Sequence, residues 1–132
     1  MLNFDPTYGY SLEQLLQVAP PPQPEDFAMF WQDRYQRALQ LDPQLRRTLS
    51  DKTHPDFECY DVCYRSTDNF QIGGWLLVPK HVQVTRAVVV GHGYGGREEP
   101  DFHLPIPGAA FLFPCVRGLS RSRCWPISDN PN

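Results

Sequence analysis

The sequence predicts an α/β domain whose mixed sheet starts with an antiparallel hairpin and is preceded by N-terminal helices. Three observations carry this reading. Residues 57–65 and 71–78 are aromatic and β-branched runs separated by the turn signal Thr67-Asp68-Asn69, which together read as a hairpin. Residues 86–90 and 109–115 are short apolar runs without polar alternation, the pattern of parallel strands buried on both faces. Helical spacing of apolar residues is confined to the first third of the chain.

The elements follow in order. Ser11-Leu12-Glu13-Gln14 has the form of a capping box, a hydroxyl followed three residues later by Gln, and opens a short helix to about Val18. Pro20-Pro21-Pro22 and Pro24 then break regular structure. Pro24-Glu25-Asp26 places proline and two acids where a helix N-terminus favours them. Phe27, Phe30, Trp31, Ala38 and Leu41 recur at helical spacing, so 25–41 is expected to form an amphipathic helix packed by its aromatic stripe, with a partner surface as the alternative. In the hairpin, Gly73-Gly74 is expected to form a bulge. Cys59 and Cys63 fall on one face of the first hairpin strand because their spacing is even. Residues 1–24 thus form a helix and proline-rich connection, and 25–132 the main domain.

Composition narrows the function. The 132 residues carry 15 acidic and 12 basic side chains, a net charge of −3, which disfavours nucleic acid as a partner. No apolar run exceeds five residues, the length of Ala109–Phe113, far short of the roughly 20 residues of a membrane helix. The opening Met1-Leu2-Asn3-Phe4-Asp5 lacks the basic and apolar regions of a secretory signal. The four cysteines match no common zinc or redox spacing, so reduced thiols in a cytoplasmic protein are expected. Asp101 and His103 have no further ligands at usable spacing, and no metal is expected.

The most informative segment is Val90-Gly91-His92-Gly93-Tyr94-Gly95-Gly96, directly after the run 86–90. Glycines 91, 93 and 96 satisfy the dinucleotide pattern G-x-G-x-x-G. That motif needs a helix opening at its last glycine, and Pro100, Pro105 and Pro107 oppose one. No acidic residue stands at the end of the next strand, and Arg117 is a weak candidate for a 2′-phosphate. An NAD(P)-binding module is therefore the alternative reading, and a P-loop is excluded because no Gly-Lys-Ser/Thr follows. The favoured chemistry is an oxyanion hole, in which fixed backbone N–H groups stabilise the charge that acyl transfer builds on a carbonyl oxygen. In this reading the Tyr94 amide is the donor, His92 shapes the turn rather than acting as a base, and Gly91, Gly93, Gly95 and Gly96 shape the loop. A glycine-rich turn with no chemistry is the plain alternative.

At these residues the sequence resembles the N-terminal part of the acetyl xylan esterase and cephalosporin C deacetylase family of α/β-hydrolases. The matching stretches are 24–31 (Pro-Glu-Asp-Phe-Ala-Met-Phe-Trp), 58–62 (Glu-Cys-Tyr-Asp-Val), 72–80 (Ile-Gly-Gly-Trp-Leu-Leu-Val-Pro-Lys), 87–96 and Arg117-Gly118. The resemblance implies deacetylation of small acetylated carbohydrates by a Ser-His-Asp triad, no metal or organic cofactor, a loop tyrosine at Tyr94 that lines the pocket, and frequent assembly into hexamers. This sequence departs from the family in two places. Arg-Gly-x-Gly is replaced by Arg117-Gly118-Leu119-Ser120, and a proline-rich segment stands where many relatives have a helix.

A nucleophile elbow requires G-x-S-x-G, and the sequence contains none. Gly118-Leu119-Ser120-Arg121-Ser122 comes nearest, but Ser122 stands where the second glycine is needed, so Ser120 reads as a loop residue. His54, His81, His92 and His103 do not follow a serine and an acid in triad order. Residues 128–132 read as the middle of a loop. The expectation is a truncated, incomplete domain that is inactive alone, with an unpaired strand edge and poor solubility. A non-catalytic interaction protein, docking through helix 25–41, is the remaining alternative.

Overall fold

The computed structural model describes residues 4–127. The expected loop at 128–132 lies outside the described residues. The chain divides into two compact units, 1–34 and 35–132.

In the first unit the Asp5 carboxylate accepts hydrogen bonds from the Thr7 amide and hydroxyl and the Gly9 amide, which lowers its pKa. Helix α1 (Leu12–Leu16) opens with the predicted capping box: the Gln14 amide donates to Ser11 Oγ and the Ser11 amide to Gln14 Oε1. Helix α2 (Phe27–Leu39) begins after the proline run, and the unit boundary falls inside it. No residue of α2 is buried, and Phe27, Phe30 and Trp31 are exposed, with the Trp31 ring edge-on to both phenylalanines.

The second unit is a five-stranded sheet in the order β1-β2-β3-β5-β4, comprising β1 (Arg46–Leu49), β2 (Phe57–Arg65), β3 (Gln71–Pro79), β4 (Arg86–Val89) and β5 (Ala109–Pro114). The β2–β3 hairpin is antiparallel, as is β3–β5, whereas β4 runs parallel to β5. The mixed sheet with an antiparallel start is therefore as the sequence predicts. Asp68 and Asn69 take left-handed backbone conformations in the hairpin turn, which short polar residues tolerate.

Three details differ from expectation. β2 and β3 pair residue for residue through Gly73 and Gly74, so there is no bulge. These glycines are required by close approach instead: a Cβ on Gly73 would meet the Arg121 carbonyl at 2.5 Å, and one on Gly74 would overlap the Phe113 carbonyl. β4 is largely exposed rather than buried on both faces, because it has one neighbour among the described residues, and β5 alternates between buried and half-buried positions. β1 was not visible in the sequence. It pairs with β2 at the other edge, where Arg46 and Arg47 suit an exposed edge strand.

One face of the sheet carries the core. Cys59, Leu77 and Phe111 align across three strands, and Trp75 aligns with Phe113. Phe102, Leu104 and Ile106, from the extended segment after the glycine loop, pack against them. Trp75, Leu77, Phe111 and Phe113 are fully buried, worth roughly 1.5–3 kcal/mol each in transfer free energy.

Candidate active site

Because β4 and β5 are parallel, the segments after them emerge at the same end of the sheet, beyond the strands' carboxyl ends, where open α/β sheets bind ligands. The 91–96 loop leaves β4 there, and 115–123 leaves β5. The Gly96 amide donates to the Gly93 carbonyl at 3.1 Å, closing a turn with Tyr94 and Gly95 at its tip. The Tyr94 side chain is 71% exposed.

His92 fastens this loop to the end of β5. The Val116 amide donates to His92 Nε2 at 2.9 Å, so the imidazole proton belongs on Nδ1, which lies 2.7 Å from the Gly93 carbonyl as its donor. Both ring nitrogens are thereby engaged in holding backbone. Arg97 adds two further ties: its amide donates to Ser120 Oγ at 2.7 Å, and Nη2 reaches the Gly91 carbonyl at 3.3 Å. Its guanidinium lies 4.7 Å over the Phe113 ring.

Of the loop glycines, Gly96 is the one that the backbone demands. It has φ +84°, and a Cβ there would overlap Ser120 Oγ. Gly91, Gly93 and Gly95 have open space at the Cβ position and no left-handed φ. No helix opens at Gly96, and residues 97–108 run irregularly to β5. The amides that a dinucleotide motif would aim at a pyrophosphate are therefore not arranged at this loop. Arg117, the candidate for a 2′-phosphate, is committed elsewhere. Its guanidinium binds the Thr67 carbonyl and hydroxyl and the Asp68 carboxylate in the hairpin turn.

The two serines after β5 hold backbone as well. Ser120 has φ +50°, a left-handed conformation. Ser122 is buried, and its Oγ donates to the Cys115 carbonyl at 2.7 Å and accepts from the Gly73 amide at 2.9 Å. Among the described residues there is no cluster of three or more side chains able to hold a metal ion, and all four cysteines are free thiols.

A cavity of about 380 Å³ opens beside the loop, between Trp75, Gly95, Arg97 and the turn at Ser120–Arg121. Sequence reasoning missed its walls, because Trp75 and Arg97 reach it through the register of β3 and the path after Gly96. A larger cavity of about 520 Å³, mostly apolar, adjoins Gly108 and Ala109 at the start of β5 and shares no residue with the loop.

The comparisons with known proteins fit this geometry. The structure is similar to acetyl xylan esterase 1 from Thermoanaerobacterium sp. JW/SL YS485, with TM-score 0.67 and 24% identity, over 83% of this chain and 36% of that one. It is also similar to the acetyl xylan esterase from Paenibacillus sp. R4, with TM-score 0.66 and 30% identity, over 83% of this chain and 37% of that one. The chain thus spans little more than a third of the length of these proteins. The family profile described as Acetyl xylan esterase (AXE1) matches residues 6–121. A match over that share of the sequence, on the mixed sheet just described, shows that the chain belongs to the acetyl xylan esterase family.

Proposed function

We propose that this chain supplies one half of the oxyanion hole of a carbohydrate acetyl esterase, with the Tyr94 backbone N–H as donor. The observation that carries the reading is the turn Gly93–Gly96 at the carboxyl end of β4, held in place by His92 on Val116 and by Arg97 on Ser120. A preformed turn suits an oxyanion donor, because the group must not reorganise as charge develops. The substrate class is an acetylated carbohydrate, cephalosporin C being a second acetyl ester of the same kind. The nucleophilic serine, its acid and its histidine base lie outside these residues, since no G-x-S-x-G occurs and Ser120 and Ser122 are occupied with backbone. In this proposal residues 25–132 are the N-terminal part of an α/β-hydrolase domain, at work in the cytoplasm, in assemblies such as hexamers. No described helix is long and apolar enough to cross a membrane.

The test is hydrolysis of an aryl acetate by the 132-residue chain. The expected result is no turnover above buffer. Turnover that disappears in Ser120→Ala or Ser122→Ala overturns the reading, because it would place a nucleophile within this sequence. A second reading, an interaction protein, draws on the exposed aromatic rings of α2. Cross-linking in cells that recovers only copies of this chain would remove it.

A further inference from the structure

His92 is bonded in a way that only one protonation state of its ring permits. The Val116 amide can only donate and the Gly93 carbonyl can only accept, so the first needs a bare Nε2 and the second a proton on Nδ1. An imidazolium carries N–H on both nitrogens. It keeps the Gly93 bond but sets a second donor against the Val116 N–H across 2.9 Å, and that contact must open. The other ties of the loop do not use this proton. They are the Arg97 amide on Ser120 Oγ, the Gly96 amide on the Gly93 carbonyl, and Arg97 Nη2 on the Gly91 carbonyl. The guanidinium among them stays charged throughout.

The ionisable side chains of the segments that His92 joins are Tyr94, Arg97 and Glu98 on its own loop and Cys115 and Arg117 after β5. Behind Arg117 stands Asp68 of the hairpin turn, whose carboxylate pairs with that guanidinium at 3.0 Å. The ring is half-buried, so solvent can deliver a proton to it. Imidazole is the side chain whose charge changes between about pH 8 and about pH 5. We infer that His92 is a pH-sensitive latch on the glycine loop. Neutral, it holds residues 92–94 against the end of β5; with a proton taken from solvent onto Nε2, it lets the Val116 amide go. The release is local, because the Arg97–Ser120 fastening remains. The latch rests on the two ring bonds, and only its bearing on the Tyr94 amide as an oxyanion donor rests on the esterase reading.

The experiment is a titration of the ¹⁵N-labelled full chain from about pH 8 to about pH 5, read at the His92 ring nitrogens and at the backbone amides. At the upper end the ring is expected to show the Nδ1–H tautomer. As it takes up the second proton, the Val116 amide resonance should move with the same midpoint. Its exchange protection, corrected for the intrinsic pH dependence of exchange, should fall about ten-fold. The Arg97 amide should keep its protection. His92→Gln supplies an oxygen acceptor that does not titrate, and should abolish the response at Val116. His54 also accepts a backbone amide, from Asp56 at 3.2 Å, so His54→Gln is the control that should leave the response in place.

A Val116 amide that stays unmoved while the His92 ring titrates overturns the proposal, as does the Nε2–H tautomer at the upper end. A response that survives His92→Gln, or that follows His54 instead, overturns it as well. Protection lost together at Val116, Arg97 and along β2 and β3 does the same, because it marks acid unfolding of the whole unit rather than release of a latch. Where His92→Gln disturbs the fold, the ring and amide titrations of the unaltered chain decide by themselves. None of these outcomes depends on turnover, so failure here is distinct from failure of the esterase reading.

Discussion

Ser120 and Gly96 face each other in left-handed backbone conformations, and the serine Oγ occupies the space that a Cβ on Gly96 would need. The same oxygen accepts the Arg97 amide at 2.7 Å. The loop after β4 and the turn after β5 therefore constrain each other through one hydroxyl group.

Gly96→Ala combines a left-handed φ with a steric overlap, and is expected to cost about 1–3 kcal/mol in urea unfolding. Adding Ser120→Gly removes the overlap but not the φ penalty. The double variant should therefore regain part of the loss, and strict additivity would contradict the contact.

At Ser120 two effects oppose each other. Ser120→Gly relieves the left-handed conformation, worth about 0.5–1 kcal/mol, but gives up a hydrogen bond of similar worth, so stability should change little. Ser120→Ala loses the bond and keeps the strain, and should cost about 1–2 kcal/mol. Chemical denaturation of the pair gives the order directly.

Ser122→Ala should be the most damaging change among the polar side chains named here. It leaves the buried Gly73 amide without an acceptor and withdraws the donor from the Cys115 carbonyl, at a cost of about 2–4 kcal/mol. A shift of the unfolding midpoint with an unchanged slope would show a loss of stability rather than a change of state.

His92→Leu removes both ring contacts, so amide exchange at Val116 and Gly96 should accelerate while exchange along β2 and β3 stays slow. Acceleration spread evenly over the sheet would mean that His92 supports the whole unit and not the loop.

Burial raises the pKa of the Cys59 thiol and of the Tyr64 phenol. Unfolded, each releases its proton at a lower pH than when folded. Their contribution is fully present below the unfolded values and lost as pH rises through the folded ones. Stability should therefore hold through neutrality with respect to these groups and fall above about pH 8.5, first for Cys59 and later for Tyr64. Cys59→Ala should flatten the early part of that decline in a pH series of unfolding midpoints.

The strands were legible where pattern and burial agree. The hairpin 57–65 and 71–79 and the runs near 86–89 and 109–114 appear within a residue or two of the expected bounds, and so does the Ser11 cap. β1 escaped because Arg46-Arg47-Thr48-Leu49 carries no apolar alternation, and edge strands do not require it. The two adjacent glycines of β3 were misread as a bulge, since sequence shows a missing side chain but not the carbonyl that excludes it. At the site, the glycine loop was visible and its fastening was not. The Val116 amide and the Ser120 hydroxyl meet the loop through β5, which no local pattern records.

β5 lies between β3 and β4 although β4 precedes it in the chain. β4 forms no ladder with β3, so it has nothing to join until β5 has been laid down. The hairpin can zip across its short turn, whereas β5 must close a much longer stretch of chain before any pairing compensates the lost entropy. His92 and Arg97 both fasten to residues that come after β5. The fastening of the glycine loop therefore forms only after β5 has paired, and a chain halted before residue 120 would keep every strand of the sheet while lacking the Ser120 hydroxyl that holds the Arg97 amide.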